Sequence, residues 1–218
     1  MVTRIVVTDR TAQTMGATKV KIFKYLAFSA LLVMSLSKAN AQDYDKGNNA
    51  FLVGDYQTAF QELLPLAESG DANAQNSIGV MYAYGKGVEK NIAEAVKWYQ
   101  LAADQGDASG QLSLGAAYDF GMGFTQNYAE AVKWYQLAAD QGDETAQFSL
   151  GWMYHSGKGF VQNHVMAHMW YNIASANGYK DAAYWRDIIA AIMTREEIAK
   201  AQAMAQDCIS SGYKNCGD

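Results

Sequence analysis

The chain has 218 residues, of which 50% are hydrophobic and 18% charged, and its formal net charge is −5. A chain of this length can form one sizeable core or a short array of repeated units. Its acidic balance argues against nucleic acid and anionic membranes as partners, because both repel a negatively charged surface.

Residues 1–41 have the pattern of a secretory signal peptide. A positively charged part contains three lysines, Lys19, Lys21 and Lys24. An uncharged, mostly apolar run follows at residues 25–36, and the small residues Ala39 and Ala41 fit a cleavage site after Ala41. The run is shorter than the roughly 20 residues that span a bilayer, so an uncleaved anchor is the weaker interpretation. We expect a start at Met15, export, and no membrane span after cleavage.

Cleavage would make the remaining chain strongly acidic. Residues 1–41 contain six Lys or Arg and one Asp, so the 177 residues that follow carry 11 basic and 21 acidic residues, a net charge of −10. This charge affects solubility and the choice of partners, but it does not determine the fold.

The middle of the chain is a repeat with a period of 36 residues. The fifteen residues Ala93–Asp107, AEAVKWYQLAADQGD, recur without a change as Ala129–Asp143. Such identity is typical of stacked units that bury apolar faces against one another. The predicted organisation is an N-terminal capping helix pair, three full repeats, and divergent C-terminal capping helices. These occupy residues 42–73, then 74–109, 110–145 and 146–181, then 182–218.

Each full unit has the pattern of two helices joined by a loop. In the first unit Ala74, Ile78 and Tyr82 share one face of a helix, and the second half carries a stripe of the same kind. Between the halves, Gly85 and Gly87 suit a turn with positive φ. Asp71, Asp107 and Asp143 fit N-caps of the first helices.

The repeated positions resemble the Sel1-like repeat, a relative of the tetratricopeptide repeat. The resemblance depends on two motifs, A-x-x-x-L-G-x-x-Y-x-x-G-x-G and A-x-x-W-Y-x-x-A-A-x-x-G, which recur in phase from about Asp43 to the C-terminus. It implies an all-α fold, a right-handed α-solenoid of antiparallel helix pairs with a concave surface for partners. It implies no cofactor and no particular enzymatic activity.

The ends depart from the repeat, as capping units do. Near the N-terminus Gly54 and Asp55 predict a shorter turn, and Pro65 falls inside a helix that it should bend. Near the C-terminus we expect a helix over residues 182–193. A capping box over residues 194–197 then predicts a last helix that ends near Ser210.

The two cysteines, Cys208 and Cys216, lie close together near the C-terminus. In an exported protein such a pair predicts a disulfide. Two free thiols on a frayed tail remain the alternative.

Few residues suggest chemistry. His164 and His168 are four apart on a predicted helix, and His155 lies on the helix before it, which makes these three weak candidates for a metal site. However, Val165 stands where a zinc protease motif needs glutamate, and His168 is in phase with valines of the other units. Ordinary core or surface histidines are therefore favoured, and no catalytic residue is predicted.

Positions that keep the register but change side chain are better candidates for partner specificity than invariant positions. On the first helices they give a predicted partner-binding set of Tyr84, Asp119, Phe120, Trp152 and His155. Exposed aromatic residues in a groove are common anchors of peptide and protein contacts. For Trp152, packing on a neighbouring helix is an equally good interpretation.

The function predicted from these features is a non-enzymatic interaction scaffold or regulator that holds a partner protein or peptide on the concave face. The signal peptide and the resemblance suggest a periplasmic or secreted protein of a Gram-negative bacterium. Exported Sel1-like proteins include regulators of sensor kinases and assembly factors for envelope machinery. The alternative is a cell-envelope hydrolase or metal-dependent enzyme built on the same scaffold.

Overall fold

The computed structural model of the chain describes residues 44–214 and residue 216. The chain divides into the units Met1–Asp45 and Lys46–Asp218, and almost all described residues belong to the second. The predicted signal peptide, its cleavage site after Ala41 and the start at Met15 lie outside the described residues. Within the described part the regular structure is entirely helical, and none of its helices is both long and apolar enough to cross a membrane.

The described helices are joined by short connections. In chain order they are α1 (residues 44–52), α2 (Tyr56–Glu68), α3 (Ala72–Tyr84), α4 (Ile92–Asp104), α5 (Ala108–Phe120), α6 (Tyr128–Ala139), α7 (Glu144–Ser156), α8 (His164–Ala176), α9 (Ala182–Ala190) and α10 (Arg195–Ser210). From α2 to α9 each helix packs against the next. The result is the predicted stack of helix pairs, in which α3/α4, α5/α6 and α7/α8 are the full units.

Local capping fixes where the first helix of each unit begins and ends. The Asp107 side chain accepts a hydrogen bond from the Gly110 N–H at 2.6 Å, and Asp71 and Asp143 cap α3 and α7 in the same way. At the other end of α5, Gly121 adopts a left-handed conformation with φ 67°, which a β-carbon would strain. The predicted N-caps are confirmed.

Helices within a unit approach closely because glycine removes a side chain at the contact. A β-carbon on Gly115 would lie 2.7 Å from the ring of Tyr135, and Gly79 and Gly151 face Tyr99 and Tyr171 in the same way. The repeated Leu-Gly or Ile-Gly step thus lets a tyrosine ring of the second helix lie directly against the backbone of the first helix. This contact explains why both residue types recur every 36 positions.

A polar ladder, which the sequence analysis did not anticipate, links successive units. Gln75, Gln111 and Gln147 occupy the same register and are buried. The side-chain oxygen of each glutamine accepts a hydrogen bond from the side-chain amide of a residue just after the second helix of the same unit. Those amides belong to Gln105, Gln141 and Asn177, at 2.7, 2.9 and 2.8 Å respectively. Gln147 also donates to the carbonyl of Ala139 in the preceding unit at 3.2 Å.

The C-terminal end closes the stack differently from the prediction in one respect. Helix α9 ends at Ala190 rather than at residue 193, because the N–H groups of Ile192 and Met193 bond three residues back and tighten the chain into a turn. The predicted capping box then opens α10, with Thr194 and Glu197 bonded reciprocally. Helix α10 packs against α8.

The predicted disulfide between Cys208 and Cys216 is present. It fastens the residues after α10 beside the ends of α6 and α8. The Tyr213 hydroxyl donates to Asn177 Oδ1 at 2.7 Å, which extends the polar ladder by one hydrogen bond, and the Gln136 amide donates to the Cys216 carbonyl at 3.5 Å.

Candidate functional site

A groove of about 630 Å³ lies along the first helices of consecutive units. Helices α5, α7 and α9 supply most of its wall, because residues three and four apart on each helix point the same way. The residues that line it are Leu112, Ser113, Ala116, Asp119, Phe120, Tyr135, Thr145, Phe148, Ser149, Trp152, Lys158, Tyr179, Asp181 and Trp185. Aromatic side chains dominate this lining, and two carboxylates and one ammonium group add charge.

Asp119 is a buried carboxylate in this groove. It is 9% exposed, and its Oδ2 accepts a hydrogen bond from the Tyr135 hydroxyl at 3.4 Å. Burial raises the pKa of the Asp119 carboxyl, against smaller opposing effects of the Lys158 charge and the Tyr135 hydroxyl. Burial and the nearby Asp119 carboxylate together raise the pKa of Tyr135 well above its usual value. Tyr135 therefore stays neutral and donates its proton towards the carboxylate.

Aromatic rings form the wall at the C-terminal end of the groove. Trp152 on α7 meets Trp185 on α9 edge to face, with ring centroids 5.1 Å apart, and both rings remain partly exposed. Phe148 stacks on Tyr179 at 4.3 Å. Trp152 therefore both packs on a neighbouring helix and lines the groove, so the two interpretations of this residue are compatible. Phe120, 70% exposed, adds an uncovered ring on α5.

The structure brings together three of the five residues in the predicted partner-binding set. Asp119, Phe120 and Trp152 line one groove. His155 lies just outside the lining, with its ring 5.7 Å from that of Trp152. Tyr84 is 69% exposed near the end of α3 and does not line this groove.

Four aromatic residues of the lining, Tyr135, Phe148, Tyr179 and Trp185, are missing from the predicted set. For Phe148 and Trp185 the repeat register contains a signal. Trp185 occupies the position that Ser113 and Ser149 hold in the preceding units, and Phe148 is in phase with Leu112. Extending the 36-residue register into the divergent last unit would have identified Trp185 by the criterion that identified Trp152.

The three histidines lie on or beside α7 and α8 but are not equivalent. The rings of His155 and His164 have centroids 6.2 Å apart, whereas His168 is 2% exposed in the core. Burial lowers the pKa of His155, and the charge of His164 adds to this effect. Within the described part of the chain, no three His, Cys, Asp or Glu side chains are grouped to hold a metal ion.

Helix pairs that repeat every 36 residues and share one groove define a helical-repeat scaffold. The Sel1 repeat model matches three segments, residues 72–107, 108–143 and 145–179. The chain therefore contains three Sel1 repeats, and scaffolds built from such repeats typically bind other proteins and are generally non-catalytic.

Two solved structures show the same fold. A Sel1 repeat protein from Oxalobacter formigenes is 28% identical with a TM-score of 0.65, and the match covers 80% of this chain and 70% of that one. A protective antigen present in uropathogenic Escherichia coli strains, which displays an SLR fold, is 29% identical with a TM-score of 0.66. That match covers 84% of this chain but only 44% of the antigen. A comparison with curated proteins finds no match.

Proposed function

We propose that this protein is a non-enzymatic, exported scaffold or regulator that binds a segment of a partner protein in the groove of α5, α7 and α9. The observation that carries the proposal is the exposed ring of Phe120 on the same groove as Trp152. Large exposed aromatic side chains cost solubility unless a partner covers them, and they are frequent anchors at protein interfaces.

The dimensions of the groove suit a short segment rather than a whole domain face. Its volume of about 630 Å³ lies within the range of 300–1,000 Å³ that is usual for ligand pockets. It can take a few side chains, and the flanking first helices offer further surface to the rest of a partner.

The export part of the proposal depends on the pattern of residues 15–41, which predicts that the partner is met in the periplasm or outside the cell. The disulfide between Cys208 and Cys216 supports it, since disulfides persist in oxidising compartments. The partner we expect is a protein or peptide of the cell envelope.

The test is affinity capture from a periplasmic extract with the wild-type chain and a Phe120→Ala/Trp152→Ala variant. The variant should lose the specific partners, because truncating an aromatic residue that anchors an interface costs about 2 kcal/mol or more in binding. A Leu101→Ala/Leu137→Ala variant is the matched control, since it truncates two exposed apolar side chains on second helices. The control should keep the partners.

Thermal unfolding followed by circular dichroism shows whether both variants fold. The groove assignment is wrong if a folded Phe120→Ala/Trp152→Ala variant recovers the same partners as the wild type. It is equally wrong if the second-helix control loses those partners and the groove variant does not.

A further inference from the structure

We propose that the groove recognises a basic side chain of the partner, an arginine or a lysine, and that Asp119 is the residue that holds it. This inference rests on the proposed function and specifies the chemistry of the partner segment. That segment would carry its basic residue between apolar residues, which would lie against Phe120 and Trp152.

The Asp119 carboxylate has fewer hydrogen-bond partners than its burial requires. Among the described residues only the hydroxyl of Tyr135 bonds to the carboxylate, at the long distance of 3.4 Å. In the described part of the chain none of the ion pairs within 4.0 Å involves Asp119. A carboxylate can accept about four hydrogen bonds, and a buried charge without a counter-ion is costly. The carboxylate therefore has capacity for a cationic donor from the groove side.

The fold itself does not need an acidic residue at position 119. The same register holds Ala83 in the preceding unit and His155 in the following one. Helices α3, α5 and α7 have the same length and the same type of caps regardless of this residue. A side chain that the repeat does not demand, but that lies buried in the groove, is better explained by recognition than by packing.

The surroundings of Asp119 in the groove also suit a cation. Lys158 lines the groove, but its ammonium group lies 5.2 Å from the ring centre of Tyr128 and forms no ion pair with Asp119. Asp181 adds a second negative charge to the lining. The aromatic side chains that line the same groove favour a cation further, because guanidinium and ammonium groups are attracted to aromatic rings.

The test begins with selection from a random peptide library displayed on phage, with the full wild-type chain as bait. The selected peptides should be enriched in arginine or lysine next to apolar residues. A synthetic peptide of the selected sequence should bind Asp119→Asn about 10- to 100-fold more weakly than wild type, the usual effect of one charge-assisted hydrogen bond. Asp119→Ala, which copies the residue of the preceding unit, should behave similarly and guards against a folding defect in either variant.

A double-mutant cycle then tests whether the two charges meet. Replacing the basic residue of the peptide by norleucine should weaken binding to the wild type by a similar factor. The same replacement should have little further effect on binding to Asp119→Asn. Additive losses, or unchanged binding by Asp119→Asn, would overturn the proposal.

The outcomes also separate this inference from the proposed function. If the selected peptides lack basic residues but lose binding to Phe120→Ala/Trp152→Ala, the groove binds segments and only the assignment of Asp119 is wrong. If the wild type selects no peptide and captures no partner, both proposals are wrong.

Discussion

At the scale of single residues, the 36-residue register separates side chains that pack from side chains that are free to vary. His168 shows the first case. It stands where Val96 and Val132 stand in the other units, and it is buried as a packing position should be. Unlike valine, however, it brings an ionisable ring into the core, and its Nδ1 has no hydrogen-bond partner in the described part of the chain.

We predict that His168→Val reduces the loss of stability on acidification. Burial lowers the pKa of His168, the charge of Arg186 adds to this, and Asp187 opposes it. Below the unfolded pKa of about 6.5 the unfolded state therefore binds a proton that the folded state does not. The free energy of unfolding therefore decreases as the pH is lowered, by at most about 1.4 kcal/mol per pH unit for one site. Urea denaturation of both proteins between pH 8 and pH 5 measures the difference.

In this experiment His164→Gln is the control, since it removes a partly exposed histidine from the same helix. It distinguishes the buried site from the mere loss of a histidine. Parallel pH profiles for the wild type and His168→Val would contradict the prediction.

At the scale of elements, the sequence predicts the helices well but not how neighbouring units are joined. Periodicity, glycines and capping aspartates locate α3 to α8, because these are local signals that recur in phase. The ladder through Gln75, Gln111 and Gln147 depends instead on which side chains meet across helices. That meeting is set by rotamers and by the rotation between units, which a one-dimensional pattern does not contain.

The sequence pattern likewise does not show where the groove lies along the stack. The register identified Asp119, Phe120 and Trp152 as variable positions on one face. It did not indicate that Trp185, after the last full unit, would complete the wall. Tyr84 was placed in the set by register alone, yet the groove lies further along the stack. The sequence thus predicts which face varies, whereas the position of the concavity along that face depends on packing.

We predict that Gln147→Ala destabilises the protein by about 1–3 kcal/mol. The substitution removes one hydrogen bond to the Ala139 carbonyl and one from the Asn177 amide, and it leaves buried polar groups without partners. Equilibrium unfolding in urea measures the loss. Gln100→Ala is the matched control, because Gln100 forms an exposed side-chain contact within α4 and should change stability by less than about 0.5 kcal/mol. Equal effects of the two substitutions would show that the ladder contributes no stability.

At the scale of the whole molecule, a stack of repeats needs ends that do not recruit another unit. The C-terminal end meets this need by turning α10 back onto α8, so that Ala201, Ala205 and Cys208 join the core cluster of the last full unit. The disulfide then holds the following residues near the ends of the second helices. Most of the groove lies on the first helices, and none of its lining residues belongs to α10 or to the described residues that follow it, so the closing device and the proposed binding site share no residue.

This separation leads to our last prediction, that reduction of the disulfide lowers stability and leaves groove binding unchanged. A bridge between cysteines eight residues apart should contribute about 2.5 kcal/mol by the loop-closure model, because it restricts a short loop in the unfolded chain. For a chain of this size that corresponds to a fall in Tm of roughly 5–10 °C on adding a reductant. Mass spectrometry before and after reduction and alkylation establishes the oxidised state of the sample.

A Cys208→Ser/Cys216→Ser variant should match the reduced wild type in Tm and should not respond to the reductant. Its capture of partners should equal that of the oxidised wild type, since none of the residues lining the groove belongs to α10 or to the described residues that follow it. Equal Tm values for oxidised and reduced wild type would show that packing of α10 alone closes the stack. Loss of partner capture on reduction would instead mean that the C-terminal end positions the first helices, contrary to the separation seen in the structure.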